Sequence, residues 1–430
     1  MAIFGLACGQ SEELGLQQAR IVTGKVKNLL STNEAGIGSA TVFAQDVISE
    51  SASGGAYTLP GVPPEGKTVS AAAAYFSAAT VSLSGESASI PLIPKNLKES
   101  LGMPVTTEIV GKIVDGKGYP ISGKDTYLNL VFDGYATGCF SPNPDGTFAC
   151  SVMVKSNGSL AEGYMVAFHK AAANVYNAAL IKIEAIPGRT IEVGTVVVDA
   201  PVATIKGKVM IPQGYSLKEV GYGLLPSSGT RLALGQGEIT GDEYVIRMPA
   251  TPLGIKFSVF ASAARGNNSV IKYIDDLVCA GGAEYGQNIT LPRAITPVYP
   301  AAGKTGVSIR PRFEWSSAGE GFTYLAIIAQ NQNILWTGYT RQPFIEYPAF
   351  PPAIIAEAGL RIKNQYLFSV IGFKNPGLNI KDVKREKLQL AGEKTYMGSI
   401  LFTVGETALN RISNKNAREF DQVINNLFVK

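Results

Sequence analysis

Three stretches open alike: Ile21-Val22-Thr23-Gly24-Lys25-Val26, Ile109-Val110-Gly111-Lys112-Ile113-Val114 and Ala203-Thr204-Ile205-Lys206-Gly207-Lys208-Val209. Each sets a Gly-Lys pair inside a run of β-branched residues, and the pairs begin 87 and 96 residues apart. That period is the length of a sandwich of about seven strands, and self-similarity at such spacing marks a tandem array. A second match follows each glycine by 33 to 37 residues: Gly55-Ala56-Tyr57-Thr58-Leu59, Asp145-Gly146-Thr147-Phe148-Ala149 and Gly241-Asp242-Glu243-Tyr244-Val245. Glycine supplies the positive φ of a tight turn, and the aromatic beyond it fills a core. The fold class expected is all-β: tandem antiparallel sandwiches followed by a short C-terminal helix.

The first segment adds Ala40-Thr41-Val42, then Pro60-Gly61-Val62-Pro63, then Gly66-Lys67-Thr68-Val69. With the opening strand and the Gly55 turn, these resemble the carboxypeptidase regulatory-like family, a transthyretin-like sandwich. Residues 20–96 carry most of that pattern. Residues 106–200 keep the opening and the Asp145-Gly146-Thr147-Phe148 turn, and residues 203–292 keep the opening and Tyr244. The resemblance implies fold and role, namely non-catalytic spacers or binders; shape alone implies no activity.

Residues 294–405 read differently. Pro311-Arg312-Phe313-Glu314-Trp315 is similar to the first core strand of a fibronectin type III or immunoglobulin-like sandwich, with Trp315 between the sheets. Tyr366, ahead of Leu367-Phe368-Ser369-Val370-Ile371, resembles a tyrosine corner, whose hydroxyl bonds back to nearby backbone. Ser399 to Val404 makes the last strand. In residues 406–430, Leu409, Ile412, Phe420, Val423, Ile424 and Leu427 fall on one helical face, which packs on its own domain or docks a partner. Proline-containing joints at Ala200-Pro201 and Leu291-Pro292 set boundaries near 202 and 294, with another near 100.

The N-terminus, residues 1–19, starts Met1-Ala2-Ile3-Phe4-Gly5-Leu6-Ala7-Cys8-Gly9-Gln10. An apolar run ends in small residues and a cysteine and then turns polar, which resembles the lipobox of bacterial lipoproteins. The resemblance implies a diacylglycerol on Cys8, with Met1 inside a longer leader. The alternative is an ordinary N-terminus with one buried cysteine.

The chain has 430 residues, 17% of them charged, and a formal net charge of +4. Its densest basic cluster, Lys384, Arg385 and Lys387, is interleaved with Asp382 and Glu386, so it reads as a solvated face and gives no track for nucleic acid. The sole histidine, His169, sits in an alternating strand pattern, and no nucleophile elbow or nucleotide loop appears. Asp275-Asp276 is the one adjacent acidic pair in a promising context and reads first as a solvated turn, next as a calcium or ion-pair position. No catalytic residue, metal site or cofactor is expected.

Two candidate sites remain. The turn Asn143-Pro144-Asp145-Gly146 is expected to close a hairpin that brings Cys139 and Cys150 together as a disulfide, leaving Cys279 unpaired. The aromatics Trp336, Tyr339, Phe344, Tyr347 and Phe350 are either a sugar-binding row or core packing. The expectation is therefore a non-catalytic envelope lipoprotein, outer-membrane anchored. It would act as a stalk or adhesive protein whose partners are other envelope or surface proteins, or polysaccharide.

Overall fold

The computed structural model describes residues 19–31, 34–83, 85–95, 104–132, 135–139, 142–155, 160–172, 175–224, 231–252, 255–330, 333–380, 383–406 and 412–429. The fold is all-β. In each repeat the opening strand is the centre of a small sheet. Arg20–Asn28 pairs antiparallel with Ala56–Val62 and parallel with Ile90–Leu92. Pro104–Val114 does the same with Thr147–Lys155 and Thr190–Val197, and Ala203–Met210 with Glu243–Met248 and Glu284–Gly286.

The spacing read from the sequence now has a physical meaning. Gly24 stands opposite Tyr57, Gly111 opposite Phe148 and Gly207 opposite Tyr244. A Cβ on Gly24 would lie 1.8 Å from the Ala88 carbonyl oxygen, and one on Gly207 would lie 1.8 Å from that of Gln287. Only glycine lets the parallel strand approach that closely. The facing tyrosine donates its hydroxyl to the same carbonyl, Tyr57 to Ala88 at 2.6 Å and Tyr244 to Gln287 at 2.5 Å. Phe148 occupies the equivalent place in the second repeat without a hydroxyl.

A four-stranded sheet closes each sandwich. It comprises Thr41–Ala44, Val47–Glu50, Thr68–Ala72 and Ala78–Ser82 in the first repeat. In the second it comprises Thr126–Phe132, Tyr135–Cys139, Ala161–Ala172 and Val175–Ala185, extended at one edge by the two-residue strand Ala200–Pro201. In the third it comprises Ser216–Leu224, Leu232–Gln236, Phe257–Arg265 and Asn268–Leu277. The fourth unit faces Thr323–Gln330, Asn333–Thr340, Gln365–Lys374 and Glu393–Val404 against Pro297–Tyr299, Arg312–Trp315 and Phe344–Glu346. Trp315 is buried there, Phe313 stacks on Phe368 at 4.6 Å, and the Tyr366 hydroxyl accepts from the Arg361 N–H at 2.7 Å, the corner geometry expected.

The units do not follow one another in a line. The last strand of the first repeat's larger sheet, Ala78–Ser82, pairs in parallel with Asn333–Thr340 of the fourth unit. The equivalent strand of the third repeat, Asn268–Leu277, pairs antiparallel with Glu393–Val404 on the other edge. One thirteen-stranded sheet therefore runs from the third repeat through the fourth unit to the first. The second repeat joins differently: the face carrying Val131, Tyr164, Val166 and Phe168 packs into the third repeat's core beside Tyr222 and Leu224.

The C-terminal helix Asn414–Ile424 is capped by Ser413, whose hydroxyl accepts from Asn416 N–H at 3.1 Å, and continues as the π-helical turn Asn425–Val429. Ile412, Phe420, Ile424, Leu427 and Phe428 are buried in a cluster shared by the first repeat and the fourth unit. Val423 is partly buried and Leu409 lies outside the described residues. The apolar face is thus used inside the molecule, which removes it as a partner-docking face. Asp421 staples the helix: it accepts from Tyr396 Oη at 2.6 Å, Ser399 N–H at 2.7 Å and Asn267 Nδ2 at 2.7 Å.

At the junction of the first repeat and the fourth unit the fully buried Trp336 donates its indole N–H to Thr80 Oγ1 at 2.8 Å, and Thr80 Oγ1 in turn meets Ser70 Oγ at 2.8 Å. Trp336→Phe keeps an aromatic ring but loses the bond and leaves a small void, so it should lower stability by about 1–3 kcal/mol. Urea unfolding followed by circular dichroism measures this, and an unchanged midpoint would show that the junction contributes nothing.

Candidate functional site

The structure places the sequence-predicted residues as follows. Cys8 lies outside the described residues. Cys150 is disulfide-bonded and Cys279 is a free, buried thiol whose pKa burial raises. The hairpin reading is corrected. Asn143 to Gly146 does form the expected turn, with Gly146 at φ +81° and its N–H bonded to the Asn143 carbonyl at 2.8 Å. It crosses between sheets, however. Tyr135–Cys139 pairs with Thr126–Phe132, whereas Thr147–Lys155 pairs with the opening strand, where Phe148 meets Gly111. The Cys139 side chain lies outside the described residues.

The aromatic row of the fourth unit is not an exposed platform. Trp336, Tyr339, Tyr347 and Phe350 are buried and Phe344 is half-buried. Trp336 and Tyr347 meet at 5.1 Å, Tyr347 and Phe350 at 5.4 Å, each edge to face, as core rings do. Arg312 covers the Phe344 ring at 3.8 Å. Trp336, Tyr347 and Phe350 pack in the fourth unit's core and Tyr339 packs on the opposite face of the sheet in the cluster shared with the first repeat, so they form no exposed row for a sugar. His169 lies in strand Ala161–Ala172 with Nδ1 at 3.0 Å from Thr126 Oγ1, a hydrogen-bonded strand histidine. Asp275 and Asp276 end the strand Asn268–Leu277, paired with Arg231 and, at 3.0 Å, Lys256.

The concave site lies elsewhere, on the third repeat. One face of its larger sheet packs the core through Val220, Tyr222, Leu224, Val259 and Val270. The other face presents Ser258, Phe260 and Ser262 from one strand and Ser269, Ile271 and Tyr273 from the next, by the alternation of strand side chains. These residues, with Gly223, Ala233, Lys218, Glu219 and Arg231, line a cleft of about 370 Å³, and Asn425 of the terminal helical turn stands at its wall. Small residues on the floor are what leave the space open.

Arg231 forms the rigid wall. Its guanidinium meets the Asp275 carboxylate through two nitrogens, Nε at 3.2 Å, and its Nη1 donates to the Gln389 and Ala391 carbonyls at 3.2 and 3.0 Å. It lies over the Tyr273 ring at 4.2 Å. Ser269 Oγ and Asn425 Oδ1 are buried polar atoms without a partner among the described residues. Sequence reasoning missed this face. The available signal was Ser258-x-Phe260-x-Ser262, small polar residues at alternate positions of an otherwise apolar strand.

No protein-family model matches the chain, and no curated protein matches it. Among solved structures, the Bacillus anthracis TIE protein aligns over 92% of this chain and 74% of that one, at 10% identity and a TM-score of 0.18. A streptococcal ancillary pilin aligns over 63% of this chain and 99% of its own, at 10% identity and a TM-score of 0.17. A DUF3823 family protein from Parabacteroides merdae aligns over 48% of this chain and 100% of its own, at 11% identity and a TM-score of 0.19.

Lys394 lies beside the cleft, opposite Ile271 in the ladder and 5.7 Å from the Tyr273 ring centroid. Burial, and then the charge of Arg231, push its pKa down from 10.5 to about 7. Between those two values the unfolded chain holds a proton that the folded chain has released, so stability gains as pH rises from about 7 towards 10.5. Below that window both states are charged and the fold carries the full penalty. Lys394→Met should remove this rise, which denaturant unfolding across the window would show; the same slope in both proteins would contradict the shift.

Proposed function

We propose that this chain is a non-catalytic binding protein of the bacterial cell envelope, tethered through a lipid on Cys8 and acting as a rigid adhesive or structural body. The observation that carries the reading is the thirteen-stranded sheet. It joins three of the four units by backbone hydrogen bonds and holds their outer surfaces in one fixed relation, as a multi-surface binding body requires. Exported placement is supported by the disulfide at Cys150, since such bonds persist in oxidising compartments.

The units 20–96, 106–200, 203–292 and 294–405 are proposed as evolutionary modules more than as independent bodies. The glycine–aromatic pairs support the likeness of the first three to carboxypeptidase regulatory-like sandwiches, and the Tyr366 corner supports that of the fourth to a fibronectin type III sandwich. Cys139 is the proposed partner of Cys150, stapling one sheet to the other across the sandwich. Other envelope or surface proteins are the proposed partners. The polysaccharide reading loses its fourth-unit site to burial and needs a different one.

Fractionation of cells expressing the chain with its upstream sequence tests this. The protein should travel with the outer membrane and Cys8→Ser should release it, while digestion without reductant should yield Cys139 joined to Cys150. An unchanged membrane fraction for the variant would overturn the tether, and free thiols at both positions would overturn the staple.

A further inference from the structure

We propose that the third-repeat cleft is a binding site for one uncharged pyranose unit, such as the end of a glycan chain. The proposal goes beyond the envelope-binding role and rests on it. A cleft of about 370 Å³ lies at the small end of the range for ligand pockets and holds a single ring.

The lining decides the chemistry. The lining does not select a charged ligand: Arg231 is matched by Asp275 and two carbonyls, and the rim carries one charge of each sign, Lys218 and Glu219, so it presents no net charge. A purely apolar ligand is equally disfavoured. It would leave the cleft hydroxyls of Ser262 and Ser269 and the Asn425 amide facing nothing, and Ser269 Oγ and Asn425 Oδ1 already lack partners among the described residues. The wall also offers an apolar patch, Phe260 and Ile271, with the Phe260 ring held by Tyr273 at 5.6 Å. A neutral ring with hydroxyls around its rim and C–H groups on its faces satisfies both halves of the lining. A pyranose is that molecule.

The site is built rather than incidental because both of its walls are pinned from outside. Arg231 is held by four hydrogen bonds to Asp275, Gln389 and Ala391, and the Asn425 wall is held by Asp421 through Tyr396, Ser399 and Asn267. The cleft therefore forms only when the terminal helix is docked, which joins the third repeat's site to the chain's last residues.

Saturation-transfer NMR on the full chain with methyl β-glucoside, N-acetylglucosamine, galactose and mannose tests the proposal. At least one sugar should show transfer, indifferent to added salt because no ion pair forms. Ala233→Trp, at an exposed position that fills the cleft, should abolish it. Ser269→Ala, which changes the lining without blocking the space, should weaken it about three- to tenfold. Tyr75→Ala, at an exposed loop residue that is not part of the cleft lining, should leave it intact. Transfer that survives both cleft variants would overturn this site while leaving a sugar-binding surface protein standing. Absence of transfer with all four sugars would overturn the cleft as a sugar site, and the membrane fractionation would still decide the envelope role on its own.

Discussion

The structure depends on one parallel strand pairing that no local sequence feature requires. Trp336 to Tyr339 lie alongside Ala78 to Val81, and the indole of Trp336 reaches Thr80 across 256 residues of chain. Without this pairing the first repeat and the fourth unit would meet only through side chains, such as Phe43 against Phe350 at 5.7 Å and the apolar cluster they share. With it, one edge of the first repeat's larger sheet and one edge of the fourth unit's cover each other, which removes two edges that would otherwise invite aggregation. The helix Asn414–Ile424 completes the join, because its apolar face packs against both units at once.

Much of the fold was legible because the repeats carry a mechanical signature. The glycines at 24, 111 and 207 and the aromatics at 57, 148 and 244 are two sides of one contact, a bare backbone under a ring, so their spacing reports a strand pair directly. The Trp315 strand and the Tyr366 corner are similarly local, since each is a side chain answering to backbone a few residues away. The joining of units was not legible. Edge pairing uses backbone groups, which every residue has, and leaves no side-chain motif. The joining strand Ala78–Ser82 is covered on both faces, yet Thr80 and Ser82 alternate with Ala79 and Val81 as in an ordinary half-exposed strand, so the sequence does not announce the burial. The Cys139 to Cys150 segment shows the converse: its turn sequence predicts a hairpin, whereas the same turn serves equally to carry the chain between sheets.

The candidate site was hidden for a related reason. Aromatic residues drew attention to the fourth unit, where the sandwich consumes them as core. The cleft instead arises from what is small, Gly223, Ala233, Ser258 and Ser262, and from walls brought in by Arg231 and Asn425. Space left by small side chains becomes a pocket only when distant elements enclose it, and sequence spacing does not record that enclosure. The buried Lys394 next to it, with its pKa pushed down to about 7, is a further sign that polar groups there are arranged by the assembly of units rather than by any one of them.

The central claim is that the first repeat, the third repeat and the fourth unit form one body through the shared sheet, and native-state hydrogen exchange tests it most directly. Amides of Ala78–Ser82 and Asn333–Thr340 should exchange as slowly as those of the buried central strand Thr323–Gln330, because they lie inside one ladder. Exchange at the junction as fast as at the sheet's terminal strand Val47–Glu50 would mean that the units separate readily in solution, and the account of a single rigid body would be wrong.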